Sequence, residues 1–192
     1  MLAAITWRPG FHDNDLSGWL VTTGYVVSVL ACFLAAARCR RSQALPSEFA
    51  RIWRGLGLVL LLLGVNQQLD LQDLLIEVGR AAAQSEGWYE HRRLVQKLFA
   101  AVFLLALLLA VAWAVWRWSL FFRRHRLVTL GLAILVGWLL LRVAVIEHLG
   151  EQTALSFHLQ AWRDYLELGG LALVVVGIWR TTLRKAAARG LT

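Results

Sequence analysis

The sequence predicts an all-α protein: a polytopic transmembrane helical bundle of about five helices that forms a single membrane domain over residues 1–192. Apolar residues make up 59% of the chain, above the roughly 45–50% of soluble domains. Two uncharged runs, 16–37 and 98–116, are each long enough to cross about 30 Å of hydrocarbon, since a helix rises about 1.5 Å per residue. Arginine-rich segments lie between apolar runs, as cytoplasmic loops do in helical membrane proteins.

The five predicted helices follow from the apolar runs in order. The first and the third contain the two uncharged runs. The second is apolar up to Val65 and polar beyond it, the fourth contains Arg142, and the fifth is predicted from the short uncharged stretch 168–179. Their predicted spans are roughly 18–37, 55–77, 97–118, 127–147 and 165–183.

Charge predicts how the bundle is oriented in the membrane. The loop 38–54, the turn 117–126 and the tail 180–189 together hold 13 of the 20 basic residues and one of the 12 acids. Positively charged loops stay on the cytoplasmic side, so we expect the N-terminus outside and the C-terminus in the cytoplasm. The net charge of +8 then reflects membrane topology. The lipid bilayer is therefore the predicted partner, and nucleic acid is not.

Polar residues interrupt the second predicted helix and share one of its faces. Five of them are separated by 4, 3, 4 and 3 residues, which at about 100° per residue confines them to a sector of about 80°. They are Asn66, Asp70, Asp73, Glu77 and Arg80. Gln68 and Gln72 form a smaller polar pair, whereas Gln67 falls on the opposite, leucine-rich side. We call the five residues, with Gln68 and Gln72, the polar seam. A helix that is polar on two flanks is not stable in lipid, so we expect this helix in the bundle interior.

Arg142 on the fourth predicted helix is the expected partner of the polar seam. Asp70 lies 15 residues beyond Gly55, and Arg142 lies 15 residues beyond Leu127, so both sit about 22 Å along their helices from the cytoplasmic side. A buried charge in a membrane needs an opposite charge. We therefore predict that Arg142 pairs with Asp70 or Asp73.

Three roles stay open for the polar seam and Arg142: holding helices together, binding a ligand, ion or proton, and docking another subunit. Outer carboxylates and histidines could also form a metal site, for which His12 and His148 are weak candidates beside the seam acids Asp70, Asp73 and Glu77. The other outer acids, including Glu167, are attributed to the positive-inside bias. The sequence has no catalytic motif and requires no cofactor.

Several segments around the polar seam form a distinctive pattern. They are the continuous segment Leu63 to Gln72, the pair Gly79-Arg80, and Gly87-Trp88-Tyr89 followed by Arg92-Arg93 and Gln96. The pattern resembles a family of uncharacterised bacterial multi-pass inner-membrane proteins, which has lysine where this chain has Gln67. The family's fourth helix has an arginine followed by His-His-x-Asp, and the matching positions here are Arg142 and then Glu147-His148-Leu149-Gly150. The resemblance implies a bacterial inner-membrane location and no particular activity.

The polar seam and the topology favour a non-enzymatic protein, a structural or accessory subunit of a membrane assembly. Other membrane subunits or a second copy of the chain would be its partners. The first alternative is a small transporter or proton-coupled ligand-binding membrane protein that uses Asp70, Asp73, Glu77 and Arg142. The second alternative is a metal-dependent intramembrane hydrolase. Co-purifying proteins would support the assembly subunit, pH-dependent ligand uptake the transporter, and bound metal the hydrolase.

Replacing Arg142 with leucine tests the predicted ion pair. If Arg142 neutralises Asp70 or Asp73, Arg142→Leu leaves a buried carboxylate uncompensated and lowers both the folded yield and the melting temperature. A second substitution, Asp70→Asn or Asp73→Asn, should restore stability because it removes the uncompensated charge. A single variant with wild-type yield and melting temperature would contradict the pairing.

Overall fold

The computed structural model describes residues 16–41, 47–69, 92–148 and 154–183, in parts of which only the backbone is described. Within these residues every element is a helix and no strand occurs, which confirms the predicted all-α class. Six helices are described, followed by a π-helical turn, Trp179–Leu183. They are α1 (Leu16–Arg41), α2 (Ser47–Leu69), α3 (Arg92–Arg117), α4 (Ser119–Arg124), α5 (Arg126–His148) and α6 (Ala154–Ile178).

Two of these helices begin well before the predicted spans. Helix α2 starts at Ser47 instead of residue 55, and α6 starts at Ala154 instead of residue 165. The predicted spans followed the uncharged runs, but charged residues continue a helix readily where they reach solvent or pair. Arg51 and Arg54 in α2 are exposed, and in α6 the Arg163 Nε atom lies 2.8 Å from the Asp164 carboxylate.

Four of the helices form a bundle. Helix α1 packs against both α2 and α6, and α6 packs against α5. One face of each helix is buried in a shared core. Buried side chains representative of the four faces are Val21 and Cys32 in α1, Trp53 and Leu60 in α2, Val128 and Leu135 in α5, and Leu171 and Val174 in α6.

An aromatic cluster joins the start of α2 to the turn between α4 and α5. Phe121 and the buried His125 ring are stacked with centroids 4.5 Å apart. Trp53 meets His125 edge-on at 5.2 Å, and Phe49 meets Phe121 edge-on at 5.3 Å. His125 Nδ1 lies 3.0 Å from the Phe121 carbonyl oxygen, which can only accept, so the ring donates this hydrogen bond. The aromatic cluster closes this end of the bundle.

Helices α5 and α6 approach closely because glycines face each other. A Cβ atom on Gly131 would lie 2.5 Å from the Gly170 carbonyl oxygen, and one on Gly177 would lie 2.8 Å from the Val128 backbone nitrogen. Neither backbone atom can move aside without shifting a helix. By contrast, a Cβ atom on Gly137 or Gly169 would meet nothing within 4 Å. Only some of the glycines in these helices therefore serve the packing.

Helix α3 lies outside the four-helix bundle and contacts α5 and the short α4. Its half-buried residues follow a spacing of three and four, so they form one narrow stripe; they are Leu104, Leu107, Val111 and Ala114. The rest of its described surface is exposed and, apart from Arg117, apolar, with Trp116 at 78% exposure. Other members of this outer face are Val102, Leu105, Leu109 and Trp113.

Helix α2 also presents an apolar outer face. Leu58, Val59, Leu61 and Leu62 are exposed, Leu62 at 68%. Over Ser47–Leu69 one side of the helix is therefore exposed, while Gln67 and Gln68 at its end are buried. The seam residues from Asp70 onward, on which the expected interior position depends, lie outside the described residues. The opposite face packs against α1, where Gly64 lies against the Tyr25 side chain.

Length and composition single out α1 among the described helices as the one able to cross a membrane. Shorter apolar helical stretches occur at Leu104–Arg117 and Arg126–Leu141.

Two alanine substitutions in α5 test the glycine contact. Gly131→Ala should lower the free energy of unfolding by about 1–3 kcal/mol, since the new methyl group forces α5 and α6 apart. Gly137→Ala makes the same change in open space and should be neutral or stabilising by up to about 1 kcal/mol, because alanine favours helix. Thermal or denaturant unfolding in a neutral detergent measures both. Equal effects of the two substitutions would contradict a close approach at Gly131.

Candidate functional site

Polar groups are buried inside the bundle at the end away from the aromatic cluster. Gln67 and Gln68 lie at the end of α2 and Glu167 lies in the middle of α6, all less than a tenth exposed. Helix α1 adds Tyr25, which is also buried. In an apolar interior each such group costs free energy unless it is hydrogen-bonded. We therefore treat this group as the candidate functional site.

The site surrounds a small cavity of about 20 Å³. A space of this size accommodates about one water molecule. Its lining comes from four helices and combines a carboxyl group, two carboxamides, a phenol and an indole with three leucine side chains. The lining residues are Tyr25, Leu63, Asn66, Gln67, Leu135, Trp138, Leu139 and Glu167.

Glu167 and Trp138 form a polar contact between α5 and α6. The Trp138 Nε1–H group donates a hydrogen bond to Glu167 Oε1 at 3.1 Å. Glu167 is 4% exposed and Trp138 is 8% exposed, so the bond is shielded from solvent. A donor at this point offsets part of the cost of burying the carboxyl group.

The sequence analysis counted Glu167 among the acids of the outer side or the outer part of helices and did not predict that it is buried. The helix was expected to begin at residue 165, near Glu167, whereas α6 begins at Ala154. The spacing between Glu167 and the apolar residues that follow it could have indicated that Glu167 is buried. Glu167 precedes Leu171 by four residues and Val174 by seven, so all three share the interior face of α6.

A second hydrogen bond ties the end of α2 to the start of α1. The Gln68 Nε2 amide donates to the Thr22 hydroxyl oxygen, and the Thr22 hydroxyl donates to the Gly18 carbonyl oxygen at 2.9 Å. Gln68 Oε1 is buried and has no hydrogen-bond partner within the described residues. The amide therefore has acceptor capacity left at the point where α2 ends.

The structure accounts for two residues of the predicted polar seam. Asn66 is half-buried and lines the cavity, and Gln68 is buried. Gln67, expected on the leucine-rich side, is also buried and lines the cavity. Sequence spacing missed it because neighbouring helices cover that side. The other seam residues and His12 lie outside the described residues: Asp70, Gln72, Asp73, Glu77 and Arg80.

Arg142 and His148 belong to α5, but their side chains lie outside the described part. The pairing of Arg142 with Asp70 or Asp73 therefore stays a prediction. Arg142 follows Trp138 by four residues, so a regular helix puts the two Cα atoms on one face. Where side chains are described, no group of three or more histidine, cysteine, aspartate or glutamate residues could hold a metal ion.

The geometry limits what the described site can do. Ligand pockets for small molecules usually have volumes of about 300–1,000 Å³, far above the 20 Å³ found here. The arrangement instead suits one water molecule or a proton among hydrogen-bonded side chains. It also links helices, since the lining comes from α1, α2, α5 and α6.

Comparison of the chain with protein-family models, with curated proteins and with solved structures found no match.

Removing the indole donor tests the buried hydrogen bond. Trp138→Phe keeps an aromatic ring but leaves Glu167 Oε1 without this donor, which should lower the free energy of unfolding by about 1–3 kcal/mol. Trp113→Phe is the matched control on the exposed face of α3 and should change it by no more than about 0.5 kcal/mol. The measurement is thermal unfolding in neutral detergent. If Trp138→Phe were as mild as the control, the bond would contribute nothing to stability.

Proposed function

We propose that this protein is a multi-pass protein of the bacterial inner membrane and a structural or accessory subunit of a larger membrane assembly. Its N-terminus would face outwards and its C-terminus the cytoplasm. The observation that carries the proposal is the distribution of polarity: large apolar side chains are exposed along α1, α2 and α3, whereas Gln67, Gln68 and Glu167 are buried.

The outer faces of α1, α2 and α3 support a location in lipid. Large apolar side chains are exposed along all three, including Leu30 in α1, Leu62 in α2 and Leu109 in α3. In water, apolar patches of this extent drive association or aggregation. In a bilayer they need no cover, whereas the buried Gln67 and Glu167 need the interior.

Helix α3 supports the role of an assembly subunit. Among its described residues, the half-buried positions follow one narrow stripe and the other side chains are exposed. We propose that a transmembrane helix of a partner subunit covers the outer face, which includes Leu105 and Leu109.

A proton-coupled membrane protein is the second candidate, and Glu167 favours it. A buried carboxyl group beside a water-sized cavity is the kind of site that exchanges a proton in pumps and transporters. Asp70, Asp73, Glu77 and Arg142 would extend the pathway in this alternative. Uptake into liposomes that depends on pH and is lost in Glu167→Gln would favour it over the assembly subunit.

The assembly proposal is tested by purification in a mild detergent from alkaline-washed membranes. The wild-type chain should be recovered from the membrane in a complex of defined mass with another membrane protein or a second copy. A variant with Leu105→Ala and Leu109→Ala should lose the partner, because the outer face of α3 loses its packing. The matched control is Leu58→Ala with Leu62→Ala on the outer face of α2, which should keep it.

Two results would contradict the proposal. Recovery of the chain in the soluble fraction would exclude the membrane location. A monomeric wild-type chain, or equal loss of the partner in both double variants, would exclude α3 as the face that binds the partner subunit.

A further inference from the structure

Ten exposed arginines lie at the end of the bundle that contains the aromatic cluster. They face one acid among the described residues of this end, Glu48, and so leave a surplus of nine positive charges. The ten are Arg38, Arg40, Arg41, Arg51, Arg54, Arg117, Arg123, Arg124, Arg126 and Arg180. We call them the arginine face.

Packing between the helices brings these arginines together. The start of α5 lies against the end of α6, since Val128 contacts the position of Gly177. The aromatic cluster joins the start of α2 to the α4–α5 turn, and α1 contacts the π-helical turn after α6. The charged helix ends therefore form one continuous surface.

Only part of this surface is used within the chain. Glu48 Oε1 lies 3.6 Å from Arg51 Nη2 and 3.5 Å from Arg117 Nη2, and the Arg124 guanidinium lies 5.9 Å from the centre of the Phe49 ring. The other arginines of the face form no ion pair within the described residues. Both ion pairs are exposed, so they neutralise little of the charge.

All ten described cations of this face are arginines, as are 18 of the 20 basic residues of the chain. A guanidinium group presents a planar fork of donors that binds two phosphate oxygens at once, whereas an ammonium group is a point charge. Repeated arginines at a membrane surface thus suit phosphate-containing headgroups.

We propose that the arginine face binds the phosphates of anionic phospholipid headgroups in the cytoplasmic leaflet. This rests on the proposed function in one respect, since it requires the face to lie at the membrane surface. The ligand is the headgroup phosphate of a lipid, held by several arginines together, and the bound lipids would form a defined layer around this end of the bundle.

Thermal unfolding of the purified chain in neutral detergent tests the proposal. Added phosphatidylglycerol should raise the melting temperature and remain bound through purification, whereas phosphatidylcholine should do neither. The shift should shrink at high salt, because the Debye length falls from about 8 Å to about 3 Å between 0.15 M and 1 M. Inorganic phosphate at the same concentration should have no effect, which separates a lipid headgroup from a free anion.

Two matched variants separate the contribution of positive charge from that of the guanidinium group. R40Q/R41Q/R123Q/R126Q avoids the arginines that contact Glu48 and Phe49, so it should keep the wild-type melting temperature without lipid. Its apparent affinity for phosphatidylglycerol should fall by roughly tenfold or more, since each arginine near an anionic surface contributes severalfold. R40K/R41K/R123K/R126K keeps the charge but loses the planar guanidinium fork. Its apparent affinity for phosphatidylglycerol should lie between that of the wild type and that of the glutamine variant.

Three outcomes would overturn the proposal: an equal shift with phosphatidylcholine, a wild-type response in the glutamine variant, or the same shift with inorganic phosphate. A wild-type response in the lysine variant would overturn the arginine-specific part and reduce the effect to charge. Binding of an acidic protein without any lipid effect would assign the face to a different partner. Recovery from alkaline-washed membranes tests the membrane location separately, so the two proposals can fail independently.

Discussion

The rest of the structure depends on the close approach of α5 and α6 at Gly131 and Gly170. The two helices run antiparallel. Because no side chain separates their backbones at this contact, the contact fixes which residues of α5 face which residues of α6 on either side of it. Towards one end it brings Trp138 to Glu167, where the indole donates to the buried carboxyl group. Towards the other it brings Val128 to Gly177. A larger residue at this contact would move α5 away from α6 as a rigid helix and would therefore separate both pairs.

The two ends of the bundle are closed by different chemistry. At one end Phe49, Trp53, Phe121 and His125 form an aromatic cluster, which fills space and leaves the arginines outside. At the other, side chains with hydrogen-bonding groups meet around a water-sized cavity. An aromatic cluster tolerates small changes in distance, whereas a buried hydrogen bond does not. The polar end therefore depends on hydrogen-bond geometry as well as on packing.

The sequence predicted the helical class and the uncharged helix α1, because composition and run length depend on local properties alone. Whether a single polar residue is buried depends on neighbouring helices, so the sequence predicted burial less well than helical class. Glu167 was counted among the acids of the outer side or outer part of helices and Gln67 was placed on a leucine-rich face, and the burial of both at the cavity was not predicted. His125 was not recognised as part of the core, since only the turn between α4 and α5 brings it to Trp53. Asn66 and Gln68 were recognised from the polar interruption of an apolar helix.

The single stripe by which α3 contacts the bundle has a consequence for local stability. Among the described residues, its half-buried side chains, Leu104, Leu107, Val111 and Ala114, share less surface with the bundle than the faces that join α1, α2, α5 and α6. Detachment of α3 alone would therefore cost less free energy than opening the bundle, and native-state fluctuations would begin there. Its backbone hydrogen bonds remain within the helix while it moves, so α3 could tilt or roll as a rigid rod while the polar interior stays closed.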